Sequence, residues 1–301
     1  MASPTWRAVP TPDGRTLEVL LEGPDDGFPL VFHSGTPSAA APYPFLAEAA
    51  AACGLRTVSW SRPGYGDSTE QPGRSVADVT DDVATVLTAL GHEQFVTLGW
   101  SGGGPHALAC AARLPHRCRA AATLAGVAPV DAESLEWFDG MGEENHAEFG
   151  AALKGREALT EYLIGAATEI HSVTADEVAE SLGDLVSDVD VAALTGELAD
   201  YLADSLRRAV RNGISGWRDD DLAFARAWGF ELAAISVPVA IWQGRHDRMV
   251  PFAHGVWLAD HIHGAHPHLD ESEGHVSLMM QASHIFSDLI ALAGMTLESP
   301  A

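Results

Sequence analysis

The sequence GWSGGG, residues 99–104, places one serine among four glycines. Glycine loses more backbone freedom on folding than other residues, so this cluster indicates a backbone geometry that larger residues cannot adopt. Residues 94–98 before it are predicted to form a strand, and the small residues 102–114 after it are typical of a helix. A G-x-S-x-G pattern between a strand and a helix is typical of a turn that exposes a nucleophile. We therefore expect Ser101 to be a catalytic nucleophile.

The groups that would activate this serine lie far along the chain. A serine hydroxyl is a weak nucleophile and needs a base, which a carboxylate in turn must orient. Asp247 and His275 each follow a predicted strand, so we expect both to reach the same edge of the sheet as Ser101. Asp131, which follows an earlier strand, is the alternative acid. The main-chain N–H of Gly102, at the start of a helix, is expected to stabilise an oxyanion.

Strands and helices alternate over most of the chain, which predicts an α/β fold with a doubly wound, mostly parallel sheet. The predicted strands cover residues 5–9, 16–22, 29–33, 56–60, 94–98, 119–124, 238–242 and 266–270. The strand pattern disappears in residues 131–231, where helical segments such as 176–185 and 191–210 are predicted instead. We therefore expect a helical cap at 131–231 and a core formed by 1–130 and 232–301.

Four motifs in this order resemble the α/β-hydrolase family. They are Ser34-Gly35-Thr36-Pro37, residues 61–68, residues 99–103, and the paired loops of Asp247 and His275. The resemblance covers residues 25–130 and 235–293 and implies the α/β-hydrolase fold, with the strand-free segment in the position of the family's variable cap. It also implies that Ser101 is the nucleophile, that His275 is the general base and then acid, and that Asp247 holds the imidazole.

The second oxyanion donor is expected in the first of these motifs, where this sequence departs from the family pattern. Relatives carry H-G-x-P there, whereas Ser34 stands in place of the histidine when Gly35 is aligned. We assign the donor to the main-chain N–H of Thr36, or to Gly35 if the alignment shifts by one residue. Main-chain donation depends on the placement of the backbone, so the different side chain does not forbid the function.

Four aromatic residues are candidates for the substrate pocket. Trp100 adjoins the predicted nucleophile, where it would line the pocket or pack beneath the cap. His33 precedes the predicted oxyanion loop. Trp137 and Trp217 lie in the predicted cap, where each would serve as pocket wall or as cap core.

Charge and hydropathy exclude several classes of function. The chain has 17 basic and 42 acidic residues and a net charge of −25, so phosphate backbones and anionic membranes would repel it. Residues 131–231 hold 23 acidic and 7 basic residues, which indicates a solvated helical surface or a field that attracts cationic substrates. No apolar run approaches the roughly 18 residues of a membrane span. Residues 1–7 lack the apolar core of a signal peptide, so we expect a cytoplasmic protein.

No metal or other cofactor is expected. The three cysteines lack the spacing of metal ligands and are interpreted as small buried apolar residues; they are Cys53, Cys110 and Cys118. Four histidines are closely spaced but cross a predicted helix end and a strand, so they would not converge on one ion; they are His261, His263, His266 and His268.

The sequence therefore predicts a serine hydrolase that acts on a small or medium carboxylic ester, as a monomer or a homodimer. One alternative is an aminopeptidase resembling proline iminopeptidases, in which acidic residues of the cap would receive an α-amine; these are Glu136, Asp139, Glu143, Glu144 and Glu148. Others are a lyase that uses the same three groups, and a binding protein without catalysis.

Overall fold

A computed structural model describes residues 3–295 of the chain. Its strands form one eight-stranded sheet in the order β1-β2-β4-β3-β5-β6-β7-β8. The strands are β1 (Thr5–Pro10), β2 (Thr16–Glu22), β3 (Phe28–His33), β4 (Leu55–Trp60), β5 (Phe95–Trp100), β6 (Cys118–Leu124), β7 (Val239–Gly244) and β8 (His266–Asp270).

The sheet is antiparallel at one edge and parallel elsewhere. β1, β2 and β4 pair antiparallel, and every pair from β4 through β3 to β8 is parallel. Every residue of the central strand β5 is buried, as expected for a parallel strand covered on both faces. The predicted doubly wound, mostly parallel α/β fold is confirmed, and the loops that follow β3, β5 and β7 meet at one edge.

Helices cover both faces of this sheet. They are α1 (Pro44–Ala52), α2 (Val79–Ala89), α3 (Gly103–Arg113), α4 (Glu143–Lys154), α5 (Arg156–Ile170), α6 (Val178–Ser181), α7 (Asp188–Ala193), α8 (Gly196–Val210), α9 (Ser215–Phe224), α10 (Phe252–His261) and α11 (Ala282–Leu292). A 3₁₀ turn over Ser277–Gln281 leads directly into α11. None of the helices within residues 3–295 combines the length and the apolar character that crossing a bilayer requires.

Residues 131–231, all of which the structure describes, contain α4 to α9 and no strand. The helix predicted over 191–210 is broken between α7 and α8, because Thr195 is extended and Gly196 has a φ of 54°. The helix predicted over 176–185 is also broken, since α6 lies between two 3₁₀ turns. The boundaries of a cap at 131 and 231 stay a prediction.

Two large apolar clusters hold the fold together. One joins the sheet to the helices of 131–231, and it includes Leu98, Leu163 and Leu202. The other lies on the opposite face of the sheet, under α2, α3 and α10, and it includes Cys110 and Cys118. All three cysteines are buried and free of disulfides, as predicted.

Candidate active site

Ser101 lies on the turn between β5 and α3, at the carboxyl edge of the sheet. Its φ is 56°, a left-handed conformation that residues other than glycine rarely adopt. The neighbouring glycines are required sterically. A Cβ on Gly103 would lie 2.0 Å from the carbonyl oxygen of His33, and a Cβ on Gly99 would lie 2.2 Å from the Gly103 oxygen. The glycine cluster therefore allows the chain to reverse tightly and to present the serine.

His275 and Asp247 form a buried pair. The imidazole Nδ1 lies 2.9 and 3.0 Å from the two carboxylate oxygens of Asp247. This carboxylate also accepts the Val250 main-chain N–H at 2.8 Å and the Gln243 side-chain amide at 2.9 Å. A proton on Nδ1 leaves Nε2 free to accept another. The alternative acid, Asp131, is exposed and makes no hydrogen bond to His275.

One cavity brings Ser101 and His275 together. Both residues line it, as do Gly102 and Trp100, and most of its other walls are apolar. The indole N–H of Trp100 donates to the His275 carbonyl at 3.2 Å, so the end of β5 is tied to the histidine loop. Within the described residues no hydrogen bond joins the Ser101 hydroxyl to His275. The two side chains therefore share a cavity wall in this structure without being in hydrogen-bond contact.

The aromatic residues predicted for the pocket divide into two groups. Trp100 and Trp217 line the cavity, whereas His33 and Trp137 do not. His33 is buried behind the nucleophile turn, with its Nε2 3.8 Å from the Cys110 Sγ. Trp137 packs in a small separate cluster and donates its indole N–H to a main-chain carbonyl at 2.8 Å. These positions correct the placement of His33 and Trp137 in the pocket.

The loop after β3 contacts the nucleophile turn. A Cβ on Gly35 would lie 3.3 Å from the Ser101 Cβ, and a Cβ on Gly102 would lie 2.7 Å from the Thr36 Oγ1. The main-chain N–H groups of Gly102, Thr36 and Gly35 donate to no acceptor in the described part of the chain. Each is therefore available to a ligand, and the choice between Thr36 and Gly35 as the second donor stays open.

Arg62 is hydrogen-bonded to the loop after β3, a contact that was not predicted from the sequence. Its guanidinium donates to the carbonyl oxygens of Ser34 and Gly35 at 2.6 and 2.7 Å and pairs with Asp220 at 2.7 Å. Asp220 also pairs with Arg74 at 2.7 Å, and all three charged side chains are buried. Burial opposes ionisation of Asp220, but the two guanidiniums hold its pKa well below the usual value. A helix of 131–231 is thus joined to the predicted oxyanion loop through buried charges.

A second residue that the sequence analysis missed, Asp190, lies behind the histidine loop. Its carboxylate accepts the main-chain N–H groups of Val276 and Ser277 at 2.7 and 3.0 Å and is fully buried. Burial lowers the pKa of His275, but the carboxylates of Asp247 and Asp190 outweigh it, so the net shift of this pKa is upward. Asp190 therefore positions the histidine loop and favours a positive charge on the imidazole. The spacing of Ser187 and Asp190 fits a helix-capping box and gave no sign of this second contact.

Comparisons with known proteins agree with this architecture. The family model of the alpha/beta hydrolase fold matches residues 29–280. A putative non-heme haloperoxidase of Mycobacterium phage D29 is 29% identical over 290 residues, which cover 93% of this chain and 92% of that protein. A bifunctional esterase/perhydrolase of Acinetobacter calcoaceticus is 28% identical over 81% of this chain and 83% of its own length. The solved enol-lactonase of Burkholderia xenovorans superposes with a TM-score of 0.67 at 19% identity, covering 96% of this chain and 100% of that one.

Proposed function

Because the chain belongs to the α/β-hydrolase family, we propose that it is a serine hydrolase that cleaves a small or medium carboxylic ester. The observation that carries the proposal is the cavity lined by both Ser101, in its strained turn, and His275, which is paired with Asp247. An ester is favoured over an amide because its alcohol is the easier leaving group. Relatives named as an esterase and an enol-lactonase support the same class of bond.

In the proposed first half-reaction, Oγ of Ser101 attacks the ester carbonyl carbon while Nε2 of His275 accepts the hydroxyl proton. Asp247 keeps the proton on Nδ1 and stabilises the imidazolium that forms. The carbonyl oxygen becomes an oxyanion and receives hydrogen bonds from Gly102 and from the loop after β3. Collapse of this intermediate breaks the ester C–O bond. His275 then gives its proton to the departing alcohol, and an acyl group remains on the serine.

In the second half-reaction water attacks the acyl group, with His275 again accepting a proton, and the carboxylic acid leaves. The names of two relatives favour a second candidate for this step, since one is called a haloperoxidase and another a perhydrolase. If hydrogen peroxide replaces water as the attacking nucleophile, the same acyl group leaves as a peracid. Both outcomes pass through the same acyl group on Ser101 and use His275 as the base.

The proposed function predicts that the protein hydrolyses p-nitrophenyl butyrate faster than proline p-nitroanilide, and that a fluorophosphonate labels Ser101 stoichiometrically. Faster cleavage of the anilide would instead support the aminopeptidase. Labelling without hydrolysis of either compound would support a lyase, since a lyase keeps the nucleophile. No labelling and no turnover would support a binding protein. Peracid formation in the presence of hydrogen peroxide, measured with the same butyrate ester, tests the second candidate.

The pH dependence of kcat/KM should report on His275, because the proposed base works only when it is neutral. Activity is expected to fall as the pH drops through the pKa of His275, and this acid limb should lie above the usual pKa of 6.5. Asp190→Asn removes one of the carboxylates that raise this pKa, so the limb should move to lower pH. The matched control is Asp188→Asn, which makes the same charge change on an exposed residue of α7. An identical limb in both variants would contradict the role given to Asp190.

A further inference from the structure

Three consecutive aspartates on α9 differ in their partners. Asp219, Asp220 and Asp221 have relative exposures of 2%, 0% and 0%. Asp220 lies between two arginines, and Asp219 pairs with Arg156 at 2.7 Å. Within the described residues neither carboxylate oxygen of Asp221 receives a hydrogen bond. A buried carboxylate without a counter-ion is unfavourable when it is ionised, so an ionised Asp221 calls for a cation that the described residues do not supply.

Asp221 lines the cavity that contains Ser101, and it is accompanied there by a second carboxyl group. Glu148, from α4, lines the same wall and accepts the indole N–H of Trp217 at 2.8 Å. Burial raises the pKa of Asp221 well above its usual range, and Glu148 lies close enough to share its proton. Without a ligand, the pair can limit its electrostatic cost by holding one proton. With a cation between them, both carboxyl groups could be ionised.

The rest of the cavity also suits a cation. Its walls contain no lysine or arginine among the described residues, while Glu144 and Glu169 add negative charge near its exposed side. The aromatic side chains of Trp100, Trp217 and Phe224 form part of the wall. Aromatic faces attract ammonium groups, and low-dielectric walls strengthen the effect of the carboxylates.

The helix that carries Asp221 contacts the nucleophile turn. Phe224 is one turn after Asp221 on α9, about 4.5 Å along the helix. Its ring lies 3.2 Å from the position that a Cβ on Gly102 would occupy. A cation held at Asp221 would therefore be only a few bonds from a carbonyl attacked by Ser101.

We propose that Asp221 and Glu148 form a subsite for an amine or ammonium group of the substrate, carried a few bonds from the scissile carbonyl. The inference rests on the proposed ester hydrolysis and names the class of ester. The positive group replaces the shared proton between the two carboxyl groups and packs against the aromatic wall. It can belong to the acyl part or to the alcohol part of the ester.

Two pairs of isosteres test the inference and separate these two sources. Butyrylthiocholine and 3,3-dimethylbutyl thiobutyrate differ only by nitrogen or carbon in the leaving group. The p-nitrophenyl esters of 4-(trimethylammonio)butyrate and 5,5-dimethylhexanoate differ in the same way in the acyl group. In at least one pair, kcat/KM for the cationic ester should be higher by about tenfold or more. Equal values, or a preference for the neutral member in both pairs, would overturn the inference.

Variants assign the preference to the two carboxyl groups. In Asp221→Asn the ratio of cationic to neutral kcat/KM should fall to about one, and Glu148→Gln should lower it in the same direction. The matched control is Glu161→Gln, which makes the same charge change on an exposed residue of α5 outside the cavity and should keep the ratio. A preference that survives in both cavity variants, or that falls equally in the control, contradicts a local subsite.

A binding measurement keeps this inference separate from the proposed chemistry. Calorimetric titration of the intact protein with choline should show binding that is lost in Asp221→Asn, whereas its neutral carbon isostere 3,3-dimethylbutanol should bind more weakly. If no ester is cleaved but the ammonium ion binds in this way, the proposed function fails and the subsite stands. If neutral esters are cleaved and the ammonium ion does not bind, the subsite fails and the hydrolase stands.

Discussion

Ser101→Ala is expected to lower kcat for ester hydrolysis by about 10⁴-fold or more, because it removes the hydroxyl that the proposed reaction uses to form the acyl-enzyme. KM should change little, since the cavity walls remain. Folding should also be retained, because alanine is no more strained than serine at the positive φ of this position. Steady-state kinetics on p-nitrophenyl butyrate, with thermal unfolding measured in parallel, check both expectations.

The matched control for this variant is Ser181→Ala, which removes another hydroxyl of the same cavity. The Ser181 hydroxyl donates to the Val178 carbonyl at 2.9 Å, and it is not paired with a base. Its loss should alter kcat by no more than a few-fold. A similar small effect of Ser101→Ala would show that the strained serine is not the nucleophile.

Asp220→Asn is expected to lower the free energy of unfolding by about 3–5 kcal/mol, because it leaves two buried guanidiniums without their carboxylate. Arg62 and Arg74 lie on opposite oxygens of Asp220, each at 2.7 Å, and both are buried. The loop that Arg62 holds should loosen as well, so kcat should fall in the same variant. Urea denaturation followed by tryptophan fluorescence measures the change in stability.

Two comparisons sharpen this prediction. Asp25→Asn breaks an ion pair of equal length, Arg56 to Asp25 at 2.7 Å, but the Asp25 side chain is 89% exposed. Solvent screens such a pair, so little or no change in stability is expected. Asp221→Asn alters the residue next to Asp220 but removes a carboxyl that forms no ion pair with the described residues, so stability should be retained or rise. Equal losses in all three variants would contradict the distinction drawn between paired and unpaired carboxylates.

Sequence patterns predicted the parts of the candidate site that local geometry determines. The glycines around Ser101 are required by the backbone itself, so the turn could be recognised from six residues. Asp247 and His275 each follow a strand of the parallel sheet, and the sheet brings such loops to one edge. The hydrogen bond between these two side chains agrees with the expected pairing.

The parts that were missed depend on contacts between distant segments. Arg62 and Asp220 are 158 residues apart, and Asp190 reaches Val276 across 86 residues. No local pattern specifies such pairs. The run Asp219–Asp221 did contain a signal, because three consecutive residues of a helix cannot all face the solvent, and acids that are buried require partners.

The misplacement of His33 has a different cause. His33 ends β3 beside the oxyanion loop, so its position in the sequence suggested the cavity. Successive side chains of a strand point to opposite faces, and His33 points to the face of α3, where it meets Cys110. The cavity lies beyond the carboxyl edge of the sheet, where it is lined by Ser101 and His275. Proximity along the chain therefore indicated the correct edge of the sheet but not the direction in which the side chain points.

The buried ion pairs of Asp220 are also expected to limit how a substrate could enter the cavity. If residues 131–231 swung open as one rigid body, α9 would have to separate from Arg62 and Arg74. Likewise, α7 would have to separate from the histidine loop, to which Asp190 is hydrogen-bonded. Such a swing would expose several buried charges at once and would disrupt the loops of the candidate site with each opening. We therefore expect entry through the stretch around α5 and α6, whose cavity-lining residues form no hydrogen bond to those loops in the described part of the chain. Substrate range can then diverge in this stretch while the chemistry is preserved.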